Sequence, residues 1–198
     1  MANLDTPMGL KPVQHISGAS WNGATRRCRI TSTAGDLGVG DAVVWNGSGS
    51  TCYPEIITAT AGDGNPIFGV IVSFEPQVTN LERLYMASAD EGWANVCVDP
   101  DTVYEIQADG VVGAADIGQN APLIFTHTVD TTTGLSGMEL NSTTTANGSD
   151  QLLIIGAPDR ADNDTTLTHA KWYVLINCHS LRASDANGDG GYEGAKGV

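Results

Sequence analysis

No stretch of this chain keeps an apolar period long enough to define a helix. Apolar or alternating runs recur instead, each short and each closed by Gly, Pro, Asn or Asp. Residues 67–74 read IFGVIVSF, too short for a helical core and rich in β-branched side chains, which predicts a buried strand. Residues 42–45 (AVVW) run into Asn46-Gly47, a hairpin signal. Arg27-Cys28-Arg29-Ile30, residues 93–98 (WANVCV) and residues 103–107 (VYEIQ) alternate polar with apolar, as half-buried strands do. Residues 151–156 (QLLIIG) and 171–178 (KWYVLINC) complete the strong candidates, with 53–59, 81–86 and 123–127 weaker ones. Residues 114–117 predict one helical turn. About ten short strands at turn spacings of roughly 8–15 residues predict an all-β fold. The expected architecture is a compact barrel or sandwich of short, mostly antiparallel strands with very little helix.

Residues 1–20 carry two prolines and two glycines and no period, and predict an extended N-terminal arm. Residues 21–182 show no internal repeat and no shift in composition, and predict a single β-rich domain. Within it, residues 128–150 are nearly all Thr, Ser, Gly, Asn and Asp, which reads as a long polar loop. Residues 183–198 predict a flexible Gly-rich tail.

Charge narrows the partners. With 9 basic and 23 acidic residues among 198, the formal net charge is −14, which disfavours nucleic acid and anionic lipid as partners. The cations are unevenly placed. Lys11, Arg26, Arg27 and Arg29 face only Asp5 within residues 1–30, leaving 5 basic and 22 acidic residues to the rest. No stretch approaches the roughly 18 apolar residues of a membrane span. The opening MANLDTPMGLKPVQ has no secretory pattern, so synthesis in a cytoplasm is expected. There, Cys28, Cys52, Cys97 and Cys178 are expected to be reduced, small buried hydrophobes, since no CxxC pair exists.

Catalytic chemistry finds little support. Nothing orients His15, His127, His169 or His179 toward a nucleophile, and no GxSxG elbow is present. Glycine-rich stretches lead into strands, not helices, so no phosphate cradle is indicated. Glu91, Asp99, Asp101 and Glu105 read as a solvated acidic face. His179 at a strand end reads as a hydrogen-bonded structural residue. Asp185-Ala186-Asn187-Gly188-Asp189-Gly190 matches the first half of a calcium loop, but position 12 is Lys196 and no helices flank it. No enzyme activity, metal or cofactor is therefore expected. Trp45, Trp93 and Trp172 fall in predicted strands and read as core, while Trp21 stands where arm meets body.

Three stretches together carry a resemblance. Gly9-Leu10-Lys11-Pro12-Val13 followed by Trp21-Asn22-Gly23-Ala24-Thr25-Arg26 is similar to the opening of small structural proteins of tailed-bacteriophage heads. Asp99-Pro100-Asp101-Thr102-Val103-Tyr104-Glu105-Ile106-Gln107 resembles their middle, and Lys171-Trp172-Tyr173-Val174-Leu175-Ile176-Asn177-Cys178-His179 resembles their last strand. The resemblance spans most of residues 8–182 and implies a capsid decoration, or cement, protein. Such a protein sits on the outer surface of the virion capsid. It links neighbouring major capsid proteins, often as a homotrimer at three-fold positions. On that reading the arm residues Leu10, Lys11, Pro12, Val13 and Trp21 and the basic strand residues Arg26, Arg27 and Arg29 contact the shell. The arm orders on its partner and the arginines meet acidic groups. A phage tail or receptor-binding β module, and an unrelated β-sandwich binding domain or hydrolase, are the alternatives.

Overall fold

The computed structural model describes residues 3–47, 52–78, 80–125, 128–145 and 147–182. The strands among these residues are β1 Lys11–His15, β2 Arg26–Ile30, β3 Ala42–Trp45, β4 Glu55–Thr58, β5 Gly69–Phe74 and β6 Gly92–Cys97. They continue with β7 Thr102–Gln107, β8 Asn120–Ala121, β9 Leu123–Phe125, β10 Met138–Leu140, β11 Leu152–Gly156 and β12 Lys171–Ile176. One 3-10 turn, Ala114–Asp116, stands where a single helical turn is expected. The fold is all-β, as the turn spacing predicts.

Strands β2, β4, β3, β5 and β6 close into a barrel in that order. A five-stranded sheet of order β1-β7-β12-β11-β8 and a β9–β10 pair complete the architecture. Every strand pairing is antiparallel except β2 with β4. The pleat of β2 points Cys28 and Ile30 into the barrel, where they meet Leu37, Val43, Ile56, Phe68 and Val96. A larger core joins the two sheets: Tyr104, Ile106, Leu152, Trp172 and Val174 pack with Ala42, Val70 and Cys97 of the barrel. Each large aliphatic or aromatic side chain enclosed in this way contributes roughly 1.5–3 kcal/mol.

Several expectations are corrected. Residues 11–15 are extended, but they are not a separate arm. They form β1, the edge strand of the sheet, paired with β7 from Lys11↔Glu105 to His15↔Thr102. Leu10 is 1% exposed within the core. Paired glycines allow this. Gly9 has φ +66 and Gly40 has φ +97, and a Cβ on Gly9 would collide with the Gly40 carbonyl oxygen. The closeness lets the Leu10 N–H donate to that oxygen at 2.9 Å. Gly18 (φ +86) then turns the chain back, and the Trp21 N–H reaches the Val13 carbonyl.

The stretch 128–150 is not one loop. Met138, Glu139 and Leu140 form β10 against β9, and all three are buried. Only Met86 of the run 81–86 makes a strand contact, a bridge to Leu37. Trp172 is core, but Trp45 is half exposed at the end of β3 and Trp93 is only partly buried. Cys28, Cys97 and Cys178 are buried free thiols, whereas Cys52 is exposed. Glu105 is buried, not part of a solvated face. His179 accepts a hydrogen bond at Nδ1 from the Leu181 N–H, as a structural histidine would. The Gly-rich tail with its calcium half-loop, and His127, lie outside the described residues.

Candidate docking surface

The residues read as shell contacts fall into two groups on different sheets. The first group lies at the edge strand β1. Leu10 is enclosed and faces no partner. Pro12 offers no N–H to an added strand, and the register shifts between Pro12 and Gln14. Beyond it, residues 19–21 lie along the outer edge, with the His15 N–H donating to the Ala19 carbonyl at 2.8 Å. This is a protected edge, and of the group Lys11 alone is exposed. Trp21 packs partly buried against the core. The segment therefore stabilises its own body before any partner arrives.

The second group lies on β2, where the pleat sends Arg27 and Arg29 outward. The Arg27 guanidinium grips Glu75 with two hydrogen bonds, Nε to Oε1 at 2.5 Å and Nη2 to Oε2 at 2.7 Å. The same guanidinium lies over the Trp93 ring, 3.8 Å from its centroid. Tyr53 meets Trp93 edge-on at 4.9 Å. The hydrogen bonds from Arg27 hold the Glu75 carboxyl below the usual carboxylate range, and Glu75 in turn raises Arg27. Arg29 donates to Glu91 at 2.7 Å and lies 3.7 Å from Glu55. Arg26 makes no ion pair among the described residues and lines a groove with Trp45, Tyr53 and Glu55. Two of the three arginines thus already have carboxylate partners within the chain. A shell carboxylate would have to exchange with Glu75 or Glu91, which is nearly neutral in water and so favours selectivity over affinity.

The strongest contact chemistry here was not singled out from the sequence. A second groove is lined by Arg29, Glu75, Gln77, Val78, Glu91 and Trp93. It opens onto the β5–β6 connection, where Val78, Leu81 and Leu84 are 94%, 75% and 55% exposed. The available signal was three apolar residues spaced among Pro76, Asn80, Glu82 and Arg83, in a stretch with no alternating period. An arginine lying over a tryptophan with a tyrosine at its edge is the composition of protein-binding hot spots. Comparison with known proteins adds no relative: no family model matches the chain, and no curated protein and no solved structure matches it.

Proposed function

We propose that this chain is a structural virion protein that binds the outside of a tailed-phage capsid and cements neighbouring major capsid proteins, as a homotrimer. The observation that carries the reading is where the three resembling stretches fall. They take in the first half of β1 and all of β7 and β12, three adjacent strands of one sheet. A signature that specifies a sheet, and not the lining of a pocket, suits a protein whose work is mechanical.

Docking is assigned to the barrel face of Arg27, Tyr53 and Trp93 with Val78 of the adjoining groove and the exposed Leu81 and Leu84 of the same β5–β6 connection. Burying those aliphatics against a shell supplies apolar area, and the arginine–carboxylate pairs supply register. Three such faces in one trimer multiply the attachment without a new type of contact. The acidic surplus of the rest of the chain keeps coated particles apart.

Co-sedimentation of the purified protein with empty shells of the phage that encodes it tests this. The wild type is expected to pellet with shells and to saturate. The double variant Val78→Asp/Leu81→Asp, altered only at exposed side chains, is expected to bind at least about tenfold more weakly. A wild type that stays in the supernatant at every shell concentration overturns the proposal. Light scattering of the free protein tests the trimer, which predicts three times the mass of one chain.

A further inference from the structure

Gln107, at the end of β7, is fully buried, and its amide nitrogen donates to two carboxylates at once. It reaches Asp5 Oδ1 at 2.9 Å and Glu139 Oε1 at 2.9 Å. Asp5 comes from the segment that precedes β1, and Glu139 is the middle residue of β10, 1% exposed. His169 stands just before β12 with φ +62, and its Nδ1 lies 3.6 Å from Asp5 Oδ1. That nitrogen has no accessible surface and no hydrogen-bond partner. Ligand atoms of Asp5, Glu139 and His169 all lie within 4.8 Å of one another.

A separation of 3.6 Å is too long for a hydrogen bond. It is close to the ligand–ligand distance on a tetrahedral metal, about 3.4 Å for bonds of about 2.1 Å. We propose that Asp5, Glu139 and His169 form a divalent-metal site suited to zinc. One imidazole with two carboxylates fits zinc better than magnesium or calcium, which favour oxygen alone. Three protein ligands leave a fourth position for water. Gln107 donates to both carboxylates and fixes their place, as outer hydrogen-bond partners do in metal sites.

The ligands come from three distant parts of the chain, so no spacing motif announces them. The site has a mechanical consequence. Asn3 already docks on the 164–168 turn, its side-chain amide donating to the Asp164 and Thr168 carbonyls at 2.9 and 2.8 Å. A metal on Asp5 would fasten the same segment to β10 and to the entry of β12. This inference does not depend on the capsid reading.

Isothermal titration of the tag-free full chain with zinc chloride near neutral pH tests it. One ion per chain in the micromolar range is expected. Asp5→Asn and His169→Gln should each weaken binding by about tenfold or more, while Cys52→Ser, which removes the exposed thiol, should leave it unchanged. Circular dichroism checks that the unloaded variants are folded. Cobalt(II) gives a readout that needs no variant: the intense visible bands of a tetrahedral site are expected on the wild type. Absence of heat at millimolar zinc, equal affinity in both ligand variants, or a cobalt spectrum like that of the free ion overturns the site.

Discussion

Strands β2 and β7 are written alike, polar residues alternating with apolar ones, yet they end in different surroundings. In β2 the outward residues Arg27 and Arg29 reach solvent and meet carboxylates at the surface. In β7 every residue is buried. Tyr104 and Ile106 face the shared core, and Glu105 and Gln107 are enclosed on the other side. There the 157–170 connection brings Arg160, which forks onto Glu105 at 2.9 and 3.1 Å. The opening segment brings the Thr6 N–H to Gln107 Oε1 at 3.1 Å and Asp5 to its amide. Alternation marks one buried face. Whether the second face is buried depends on segments 55 to 102 residues away, which no local pattern reports.

The largest effect is expected at Gly9. Gly9→Val puts a β-branched side chain at φ +66 against the Gly40 carbonyl and the Ser136 side chain. It should lift the opening segment off β7 and cost about 3 kcal/mol or more in urea unfolding. A change under about 0.5 kcal/mol would mean the segment does not cover β7.

His179 probes the joint between the sheet and the barrel. The chain pairs with Ile67 there, through the Ile67 N–H to the Cys178 carbonyl at 2.8 Å and the Ser180 N–H to the Ile67 carbonyl at 2.9 Å. Burial, with Arg182 adding to it, pushes the imidazole down to about 4 from 6.5. The unfolded chain therefore takes up the proton first, and stability falls as pH drops from 6.5 to 4. The loss is on the order of 3 kcal/mol for this group alone. Asp41 and Asp150, both pushed up to about 6 chiefly by burial, act in the opposite direction over nearly the same window. Subtracting the pH profile of His179→Asn isolates the histidine. Parallel profiles would contradict its burial as a neutral group.

Arg160→Met leaves the enclosed Glu105 without its fork. About 2 kcal/mol is expected, below the usual cost for a fully buried pair because the Arg160 side chain is 39% exposed. The matching change on β2, Arg27→Ala, should leave the melting temperature unmoved, since its pair with Glu75 is solvated. If Arg27→Ala destabilised the fold as much as Arg160→Met, the contrast between the two strands would fail.

These regions also show how far the fold was legible. Strands β3, β5, β11 and β12 were readable because each is an uninterrupted apolar run ended by turn residues. Strand β1 was not, since Pro7, Gly9 and Pro12 erase any period; an edge strand tolerates Pro12 because its nitrogen side need not bond. Strand β10 is three residues long, too short to show alternation among threonines and serines. At the surface, the exposed place of Arg27 was legible, but its partner Glu75 was not, because the pair is closed by barrel register and not by spacing. Asp5 and His169 gave no sign of meeting, because only the docking of the opening segment brings them together.

The proposed docking face is preformed on the barrel, and the opening segment is already folded into the body. Hydrogen–deuterium exchange of the free and shell-bound protein tests this most directly. Amides of β1 are expected to be protected in the free protein, and binding is expected to add protection at β2, β6 and residues 75–91. Free exchange throughout residues 3–20, with protection there only on the shell, would contradict it and restore a mobile arm as the attachment device.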